Sequence, residues 1–293
     1  MPHLSIRPSI FLFFTGILAL FQTFAALGAE DARPVEDAAK FKLQSKPNNS
    51  FPTIYLVGDS TVKVGTAGQR GWGEEITPFF DTTKVNVVNQ AIGGRSSRTY
   101  QNEGRWDAAL AAIQKGDYVI FQFGHNDSGA LNDNSRARGT IKGNGEETEE
   151  IDNILTKQHE VVHSYGWYMR KYIRDTKAKG ATPIVCSLIP RKSWTDGKMG
   201  RASESYGKWA REAAEQEGAM FVDLNEIIAQ GYEKLGSEKV EPLFADGHTH
   251  TTVEGAKFNA ECVIAGLRGL PAKPLDKYLS DAGREVVPFP SKK

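Results

Sequence analysis

The sequence has few of the residues that mark disulfide-bonded, nucleic-acid-binding or multi-span membrane proteins. It contains two cysteines in 293 residues, too few for a disulfide scaffold. Lys and Arg total 36, as do Asp and Glu, so the formal net charge is zero. Without a charge excess, no overall attraction draws the chain to nucleic acid or to a membrane surface. What remains is a globular composition, because the 40% of apolar residues can fill a complete core.

One long apolar run is present, and it lies near the N-terminus. The run SIFLFFTGILALFQTFAALGA follows Arg7 and ends in small residues at Ala26, Gly28 and Ala29. This pattern is typical of a secretory signal peptide, so we predict that residues 1–29 are cleaved and that the protein is secreted or periplasmic. A retained membrane anchor is the alternative, since the run approaches the roughly 20 residues that span a bilayer. Export would permit a disulfide, but no pairing of Cys186 with Cys262 is predicted.

The rest of the chain alternates between strand and helix patterns. After a polar N-terminal arm over 30–52, apolar runs rich in β-branched residues predict strands buried on both faces, at 53–58, 85–91, 118–124, 182–189 and 219–224. Helical patterns occupy 73–80, 105–115, 160–179, 203–217, 224–235 and 253–267. The alternation predicts one α/β domain over 53–270, a three-layer α/β/α arrangement with a five-stranded parallel sheet, followed by a C-terminal tail over 271–293. A long polar insertion over 127–157 is expected to border the functional site.

Chemically useful residues follow the predicted strands, where ligands of parallel sheets bind. They are Ser60 in LVGDS, Gly93 and Gly94 in NQAIGGRSSR, Asn126 in FQFGHND, and the late pair His248 and His250 in LFADGHTHTT. Each has a structural explanation of its own: the serine, glycines and asparagine suit turns, and the histidines suit an exposed loop or an incidental metal site. Together they indicate a serine nucleophile, a histidine base and donors for an oxyanion.

A competing pattern is HEVVH at residues 159–163, which resembles the zinc-binding helix of metalloproteases. If the predicted helix over 160–179 begins there, His159 and His163 lie on one helical face. The third ligand of the extended zinc motif is missing, because Met169 occupies its position and a thioether is a poor zinc ligand. A zinc hydrolase is therefore disfavoured, and His163 is expected to pack beside the substrate cleft.

The combination of motifs resembles the SGNH (GDSL-type) hydrolases, and within them the rhamnogalacturonan acetylesterases. The resemblance lies in Gly58-Asp59-Ser60 and in RGWGE (70–74), VVNQAIGGRSSRTYQNEGRWD (87–107), FQFGHND (121–127) and HTHTTVEGA (248–256). It covers nearly all of residues 53–267 and implies the flavodoxin-like SGNH fold. The pentapeptide Gly-x-Ser-x-Gly of α/β-hydrolases is absent, which disfavours that fold.

The resemblance also implies roles for individual residues. Ser60 would be the nucleophile, His250 the base and Asp246 the acid, with the Ser60 N–H, the Gly94 N–H and the Asn126 amide as oxyanion donors. The family spaces acid and base as Asp-x-x-His, whereas Asp246 and His250 are one residue further apart. We expect a bulge at Gly247 to absorb the extra residue. No metal or organic cofactor is implied.

These features predict a carboxylic ester hydrolase that removes acetyl groups from a plant cell-wall polysaccharide of the pectin or rhamnogalacturonan type. An esterase acting on xylan or another ester, and a non-catalytic carbohydrate-binding protein of the same fold, are the alternatives. The expected partner is an acetylated polysaccharide or oligosaccharide, with no nucleic acid and, after signal cleavage, no membrane. Trp72, Arg95 and Arg98 are candidate sugar contacts, since aromatic faces and guanidinium groups suit carbohydrate.

Overall fold

The structure is a computed structural model that describes Met1 and residues 43–290. Residues 2–29 of the predicted signal peptide, residues 30–42 of the predicted arm and residues 291–293 of the predicted tail lie outside the described residues. In the described part of the chain, no helix combines the length and the hydropathy needed to cross a bilayer.

All five predicted strands form one parallel sheet. Their bounds are β1 (Thr53–Gly58), β2 (Asn86–Asn89), β3 (Tyr118–Gln122), β6 (Thr182–Cys186) and β9 (Met220–Val222). The order across the sheet is β2-β1-β3-β6-β9, and every neighbouring pair is parallel. Several strands end earlier than predicted because the chain leaves the sheet to form the loops of the functional site. The predicted α/β fold with a five-stranded parallel sheet is confirmed.

Side chains of the sheet alternate between two separate apolar cores. Along β1, Ile54 and Leu56 belong to one core, whereas Tyr55 and Val57 belong to the other. All four are at most 1% exposed, so each aliphatic one contributes roughly 1.5–3 kcal/mol through burial. Because both faces must be apolar, the strand reads as a continuous apolar run rather than an alternating one.

Helices cover both faces of the sheet. They are α1 (Trp72–Glu75), α2 (Ser97–Asn102), α3 (Arg105–Ala112), α4 (Tyr165–Ala178), α5 (Tyr206–Gln216), α6 (Leu224–Leu235), α7 (Ser237–Val240), α8 (Val253–Gly269) and α9 (Asp281–Glu285). Residues of α1, α6 and α8 pack into the first core, and residues of α3, α4 and α5 into the second. The predicted helix over 73–80 is divided into α1 and a 3₁₀ turn at Thr77–Phe79, since Pro78 cannot donate the backbone hydrogen bond that would continue an α-helix.

The HEVVH segment is a strand, so the helix predicted over 160–179 was wrong at its start. Residues His159–His163 form β5, which pairs antiparallel with β4 (Thr148–Asp152) inside the predicted insertion. Helix α4 begins only at Tyr165, where the Ser164 hydroxyl accepts a hydrogen bond from the Trp167 N–H at 3.1 Å. A second small hairpin joins β7 (Trp194–Thr195) to β8 (Lys198–Met199).

The end of the predicted N-terminal arm lies along the outer edge of β2. The Gln44 side-chain oxygen accepts from the Asn89 N–H at 2.9 Å, and the Gln44 backbone exchanges hydrogen bonds with the Gln90 amide at 3.0 and 3.2 Å. Further along, the backbone of Asn48 pairs in the same way with the amide of Asn86, at 2.7 and 3.0 Å. Side-chain amides therefore take the place of a sixth strand at this edge.

The described part of the predicted C-terminal tail packs against the body of the domain. Leu275, Leu279 and Val286 are buried in the first core. The Phe289 N–H donates to the Ala265 carbonyl at 2.9 Å, which fixes the segment beside α8.

Both cysteines are free thiols. Cys186 is fully buried on β6, and Cys262 lies on α8. Burial raises the pKa of each thiol to about 12, so neither provides a thiolate at neutral pH.

Candidate active site

The sheet order brings three separate loops to one place. Strand β1 lies between β2 and β3, so the loops that follow these three strands are neighbours at the carboxyl edge of the sheet. Ser60 follows β1, Gly94 follows β2 and Asn126 follows β3. The fourth segment, residues 244–252, reaches this edge through a bridge between Arg70 and Thr251.

Ser60, His250 and Asp246 form a continuous line of hydrogen bonds. The Ser60 Oγ lies 2.8 Å from the His250 Nε2. On the other side of the ring, the His250 Nδ1 lies 2.5 Å from the Asp246 Oδ2. With the carboxylate accepting from Nδ1–H, the Nε2 has a free lone pair and accepts from the serine hydroxyl. This is the arrangement in which an imidazole can remove the proton of a serine.

The unusual spacing of Asp246 and His250 is accommodated by a turn wrapped around the carboxylate. The Asp246 Oδ1 accepts hydrogen bonds from the N–H groups of His248, Thr249 and His250, at 3.0, 2.6 and 3.0 Å. The Ala245 N–H donates to the His250 carbonyl at 2.8 Å and closes the turn. The extra residue is thus taken up between Asp246 and His250, and the imidazole still meets the acid.

The same contacts keep the acid ionised. Partial burial opposes ionisation of the Asp246 carboxyl, but the three backbone donors and His250 outweigh it, so its pKa lies well below the ordinary value. Asp246 therefore stays negatively charged through the neutral range and can stabilise a positive imidazolium. His248, the other histidine of the pair, is exposed and its ring contacts the Thr249 hydroxyl, so His250 is the imidazole that faces Ser60.

The chain turns sharply at Ser60 because of the preceding carboxylate. The Asp59 Oδ1 accepts from the Thr61 N–H at 2.9 Å and from the Thr61 hydroxyl at 2.7 Å. The Asp59 carbonyl also accepts from the N–H groups of Val62 and Lys63, both at 3.1 Å. This turn places Ser60 at the carboxyl edge of the sheet, where it is buried except for 8% of its surface.

The glycine pair also lies beside Ser60. Gly93 packs directly against the serine, since a Cβ added to Gly93 would lie 3.5 Å from the Ser60 Cβ. Gly94 has a φ of +80°, a conformation that L side chains rarely adopt. The Gly94 carbonyl accepts from the Arg138 Nη1 at 2.8 Å, which fixes the orientation of this peptide.

Asn126 completes this side of the site. Its Nδ2 donates one hydrogen bond to the Arg95 carbonyl at 2.8 Å, and an amide nitrogen carries a second hydrogen. The contact holds the amide beside the Gly94 loop. The site thus combines a serine, an imidazole, a carboxylate and an amide donor, which suffices for nucleophilic attack on a carbonyl.

A buried carboxylate joins the second and third loops beneath the site. The Asp127 Oδ1 accepts from the N–H and the hydroxyl of Ser97, at 3.0 and 2.5 Å, and the Tyr172 hydroxyl donates to the Ser97 carbonyl at 2.8 Å. Burial raises the pKa of Asp127 to about 7, against the hydrogen bonds from Ser97. Burial likewise lowers the pKa of His125 to about 4, so this imidazole is neutral at neutral pH.

The three predicted sugar contacts were wrong. Trp72 is fully buried, and its indole Nε1 donates to the Gln122 Oε1 at 2.7 Å. Arg95 is 4% exposed and is held by Glu103 at 3.1 Å. Arg98 is completely buried, so none of the three side chains is placed to meet a polysaccharide.

Arg98 instead holds the insertion to the domain. Its Nε and Nη2 donate to the Glu160 carboxylate at 2.5 and 2.7 Å, and its Nη1 donates to the carbonyls of Leu131 and Gly139 at 2.9 and 2.8 Å. Breaking a buried pair of this kind typically costs about 3–5 kcal/mol. The glutamate of HEVVH therefore has a structural partner.

The two histidines of HEVVH do not form a zinc site. In a strand, residues four apart are separated by roughly 13 Å, too far to share a zinc ion with bonds of about 2 Å. His159 is exposed and contacts Asp152 at 3.1 Å, whereas the His163 ring stacks on Trp167 with centroids 3.7 Å apart. Within residues 43–290, no three His, Cys, Asp or Glu side chains are grouped as metal ligands would be.

Three residues of the site were missed by sequence reasoning. Asp59 and Asp127 lie inside the motifs GDS and GHND but were given no role, and Arg138 lies in the insertion with no motif around it. A carboxylate next to a turn could have indicated the role of Asp59. Arg138 contacts Gly94, which lies 44 residues earlier, so the sequence around Arg138 does not indicate this contact.

Comparison with known proteins agrees with this geometry. The model of the GDSL-like lipase/acylhydrolase family matches residues 56–258, a stretch that contains every residue placed in the site. A rhamnogalacturonan acetylesterase from Emericella nidulans is 35% identical over 230 residues, covering 78% of this chain and 90% of that protein. The probable rhamnogalacturonan acetylesterase YesY from Bacillus subtilis is 31% identical over 227 residues, covering 74% and 94%.

A solved structure gives the same result for the fold. The protein YxiM from Bacillus subtilis superimposes with a TM-score of 0.60 at 28% identity, covering 74% of this chain and 56% of that longer chain. A family match over most of the domain, two relatives above 30% identity and a solved structure that superimposes on the chain lead to one assignment. The chain belongs to the GDSL-like lipase/acylhydrolase family and is a carboxylic ester hydrolase.

Proposed function

We propose that this protein is a serine acetylesterase that removes acetyl groups from a plant cell-wall polysaccharide of the rhamnogalacturonan type. The observation that carries the proposal is the line of hydrogen bonds from Asp246 through His250 to Ser60, at 2.5 and 2.8 Å. The names of the two relatives support the substrate. A polysaccharide is too large to enter a cell intact, which agrees with the export predicted from the N-terminal segment.

The first half of the reaction transfers the acetyl group to the enzyme. The His250 Nε2 accepts the proton of the Ser60 hydroxyl, and the Ser60 Oγ attacks the acetyl carbonyl carbon. Asp246 stabilises the imidazolium that forms. When the tetrahedral intermediate collapses, the imidazolium gives its proton to the departing sugar oxygen, which leaves acetyl-serine.

The second half releases acetate. Water takes the place of the sugar, His250 accepts a proton from it, and the resulting hydroxide attacks the acetyl-serine carbonyl. The imidazolium then returns the proton to the Ser60 Oγ as acetate leaves. Each step uses a group within hydrogen-bond reach of the reacting atoms, and none requires a cofactor.

The negative oxygen formed in both halves needs donors. The proposed ones are the N–H groups of Ser60 and Gly94 and the second Nδ2 hydrogen of Asn126. Among the described residues, neither the Ser60 N–H nor the Gly94 N–H donates to a backbone carbonyl. Because Arg138 holds the Gly94 carbonyl and the Arg95 carbonyl holds the Asn126 amide, the donors are positioned before the substrate arrives.

Replacing Asn126 with alanine is expected to lower kcat by about 10²–10³ while changing KM little, since the lost hydrogen bond is strongest in the transition state. Steady-state kinetics on 4-nitrophenyl acetate would measure both constants. Asn134→Ala, which alters an exposed asparagine of the insertion, is the matched control. A rise in KM with kcat unchanged would show that Asn126 binds substrate instead of stabilising the oxyanion.

The substrate itself can be tested by acetate release from a panel of acetylated polymers. We expect kcat/KM on acetylated rhamnogalacturonan to exceed that on acetylated xylan by about tenfold or more, equivalent to about 1.4 kcal/mol of transition-state binding. Incubation with the Ser60→Ala variant provides the background. A preference for xylan would identify an acetylxylan esterase, and binding of oligosaccharide with no acetate released would identify a non-catalytic carbohydrate-binding protein.

A further inference from the structure

A groove leads away from the oxyanion loop between α2 and β5. It begins as a cavity of about 390 Å³ that Gly94 lines. A second cavity, of about 220 Å³, continues the first, since Asn102 at the end of α2 and Val161 on β5 line both. A polymer whose acetylated sugar lies at Ser60 can therefore extend along this groove into the second cavity.

The second cavity has an aromatic wall, formed where the HEVVH segment meets α4. His163 is the last residue of β5, and Trp167 lies in the first turn of α4. Their rings are stacked, with centroids 3.7 Å apart and planes at 7°. Both residues line the cavity. The histidine that a zinc-binding helix would need thus supports an indole ring instead.

The geometry of three rings shows which parts of the indole are covered. Tyr168 is nearly perpendicular to both stacked rings, and its centroid lies 5.1 Å from that of Trp167 and 5.8 Å from that of His163. These similar distances place Tyr168 beside the stack, at the edge of the indole, because a ring on the far face of Trp167 would lie much further from His163. Within residues 43–290, no other aromatic ring or cation contacts the indole. The face of Trp167 opposite His163 is therefore free of such partners, and the side chain is only half-buried.

The charges that line the second cavity balance each other. Asp107 is exposed on α3, and the Lys171 Nζ donates to the Asp175 carboxylate at 2.6 Å. Burial lowers the pKa of His163, so its imidazole is mainly neutral at neutral pH. One carboxylate and one ammonium give no excess of charge that would select an ionic ligand.

Hydrogen-bonding groups surround the indole. The amide nitrogens of Gln101 and Asn102 are held by the Tyr168 carbonyl and by Glu160, and each amide oxygen is still an acceptor. The carboxylate of Asp107 is a further acceptor. A pyranose ring presents C–H groups on its faces and hydroxyls around its rim. The negative face of an aromatic ring attracts such C–H groups, so this wall matches a neutral sugar.

We propose that the open face of Trp167 binds a neutral sugar residue of the acetylated polymer, at a subsite beyond the one next to the oxyanion loop. The inference rests on the proposed function, which supplies the polymer. Trp167 touches none of the reacting groups, so it contributes to the binding of long chains and leaves the chemical steps unchanged. His163 is a positioning residue, because its ring supports the other face of the indole.

The test measures how the contribution of Trp167 depends on chain length. Acetate release would be followed for an acetylated rhamnogalacturonan disaccharide and an octasaccharide of the same repeat, with the wild-type protein, Trp167→Ala, Trp167→Phe and Trp209→Ala. We expect Trp167→Ala to raise KM for the octasaccharide about tenfold, as for loss of an aromatic anchor, with kcat unchanged because the lost binding is uniform. Both constants for the disaccharide should stay the same, since it does not reach the second cavity. Trp167→Phe should restore part of the affinity.

Trp209→Ala is the matched control. Trp209 is another half-buried tryptophan packed edge-on against a tyrosine, and it lines neither cavity. This variant should keep the wild-type constants for both oligomers. The proposal would be overturned by an unchanged octasaccharide KM in Trp167→Ala, by an equal rise for both oligomers, or by the same rise in Trp209→Ala.

Two further measurements separate this subsite from the esterase itself. Hydrolysis of 4-nitrophenyl acetate reports on the reacting groups alone, so its absence from the wild-type protein would refute the proposed function. Octasaccharide binding to the Ser60→Ala protein, measured by calorimetry, reports on the groove without catalysis. It should weaken about tenfold when Trp167→Ala is added, and equal affinity of the two proteins, or no binding to either, would refute the subsite.

Discussion

Ser60→Ala is expected to lower kcat for acetyl release by about 10⁶-fold, the size of effect known for loss of a serine nucleophile. Alanine cannot form the acetyl intermediate, and the imidazole of His250 would have no hydroxyl to deprotonate. Binding of the oligosaccharide should persist, because the serine hydroxyl acts on the acetyl carbonyl during the reaction and the rest of the site comes from other loops. Acetate release and oligosaccharide binding, measured separately, would distinguish the two properties.

The fold should tolerate this substitution. The side chain of Ser60 lies at the carboxyl edge of the sheet, and its hydroxyl contacts the imidazole rather than the core. The temperature of unfolding should therefore stay close to that of the wild type. The matched control is Ser128→Ala, because Ser128 is an exposed serine close to Asn126 in the chain. This variant should retain activity. An active Ser60→Ala protein would remove this residue from the mechanism.

Asp246→Asn is expected to lower kcat by about 10⁴-fold. An asparagine oxygen can still accept from the three N–H groups that wrap around position 246, so the turn should persist. Its NH₂ group would then face the His250 Nδ1 and donate to it. That contact moves the imidazole proton to Nε2, which can no longer accept the proton of Ser60.

The measurement is kcat and KM on 4-nitrophenyl acetate, with unfolding followed by circular dichroism. KM should change little, because Asp246 does not reach the substrate. Asp196→Asn, in an exposed turn on the β7–β8 hairpin, is the control for the change from carboxylate to amide. Near-normal turnover with an intact fold would mean that the extended spacing has removed Asp246 from the reaction.

The sheet could be predicted from the sequence because its strands are more continuously apolar than the segments between them. A strand buried on both faces is a short continuous run of apolar, β-branched residues, as in Ile54–Val57, and the short length of each run favours a strand over a helix. The residues that follow these strands could then be predicted to form a site, because the loops after parallel strands lie at the same edge of the sheet. Ser60, Gly94 and Asn126 were found in this way.

The HEVVH segment was misinterpreted because its pattern suits both helix and strand. The two histidines at its ends have the spacing found in a zinc-binding helix. The valines between them, Val161 and Val162, also favour a strand. The segment forms a strand because it pairs with β4, and that pairing depends on tertiary contacts. A local pattern of five residues carries no information about that partner.

The roles of the arginines were also unreadable from local sequence. Arg98 looked like a surface side chain able to bind sugar, yet it is buried because Glu160, 62 residues later, accepts its hydrogen bonds. Arg138 donates to the Gly94 carbonyl across 44 residues of the chain. Charged residues are usually exposed, so only the folded contacts reveal which of them are buried.

The amide pairs between the N-terminal arm and β2 have a consequence for how copies of this protein meet in solution. An uncovered edge strand invites a strand from another molecule to continue the sheet, which leads to aggregation. Here the N–H of Asn89 is already taken by Gln44, and the arm occupies the space that an incoming strand would need. This border of the sheet is therefore closed to strand addition, and a protein cut after Ser50 would expose it.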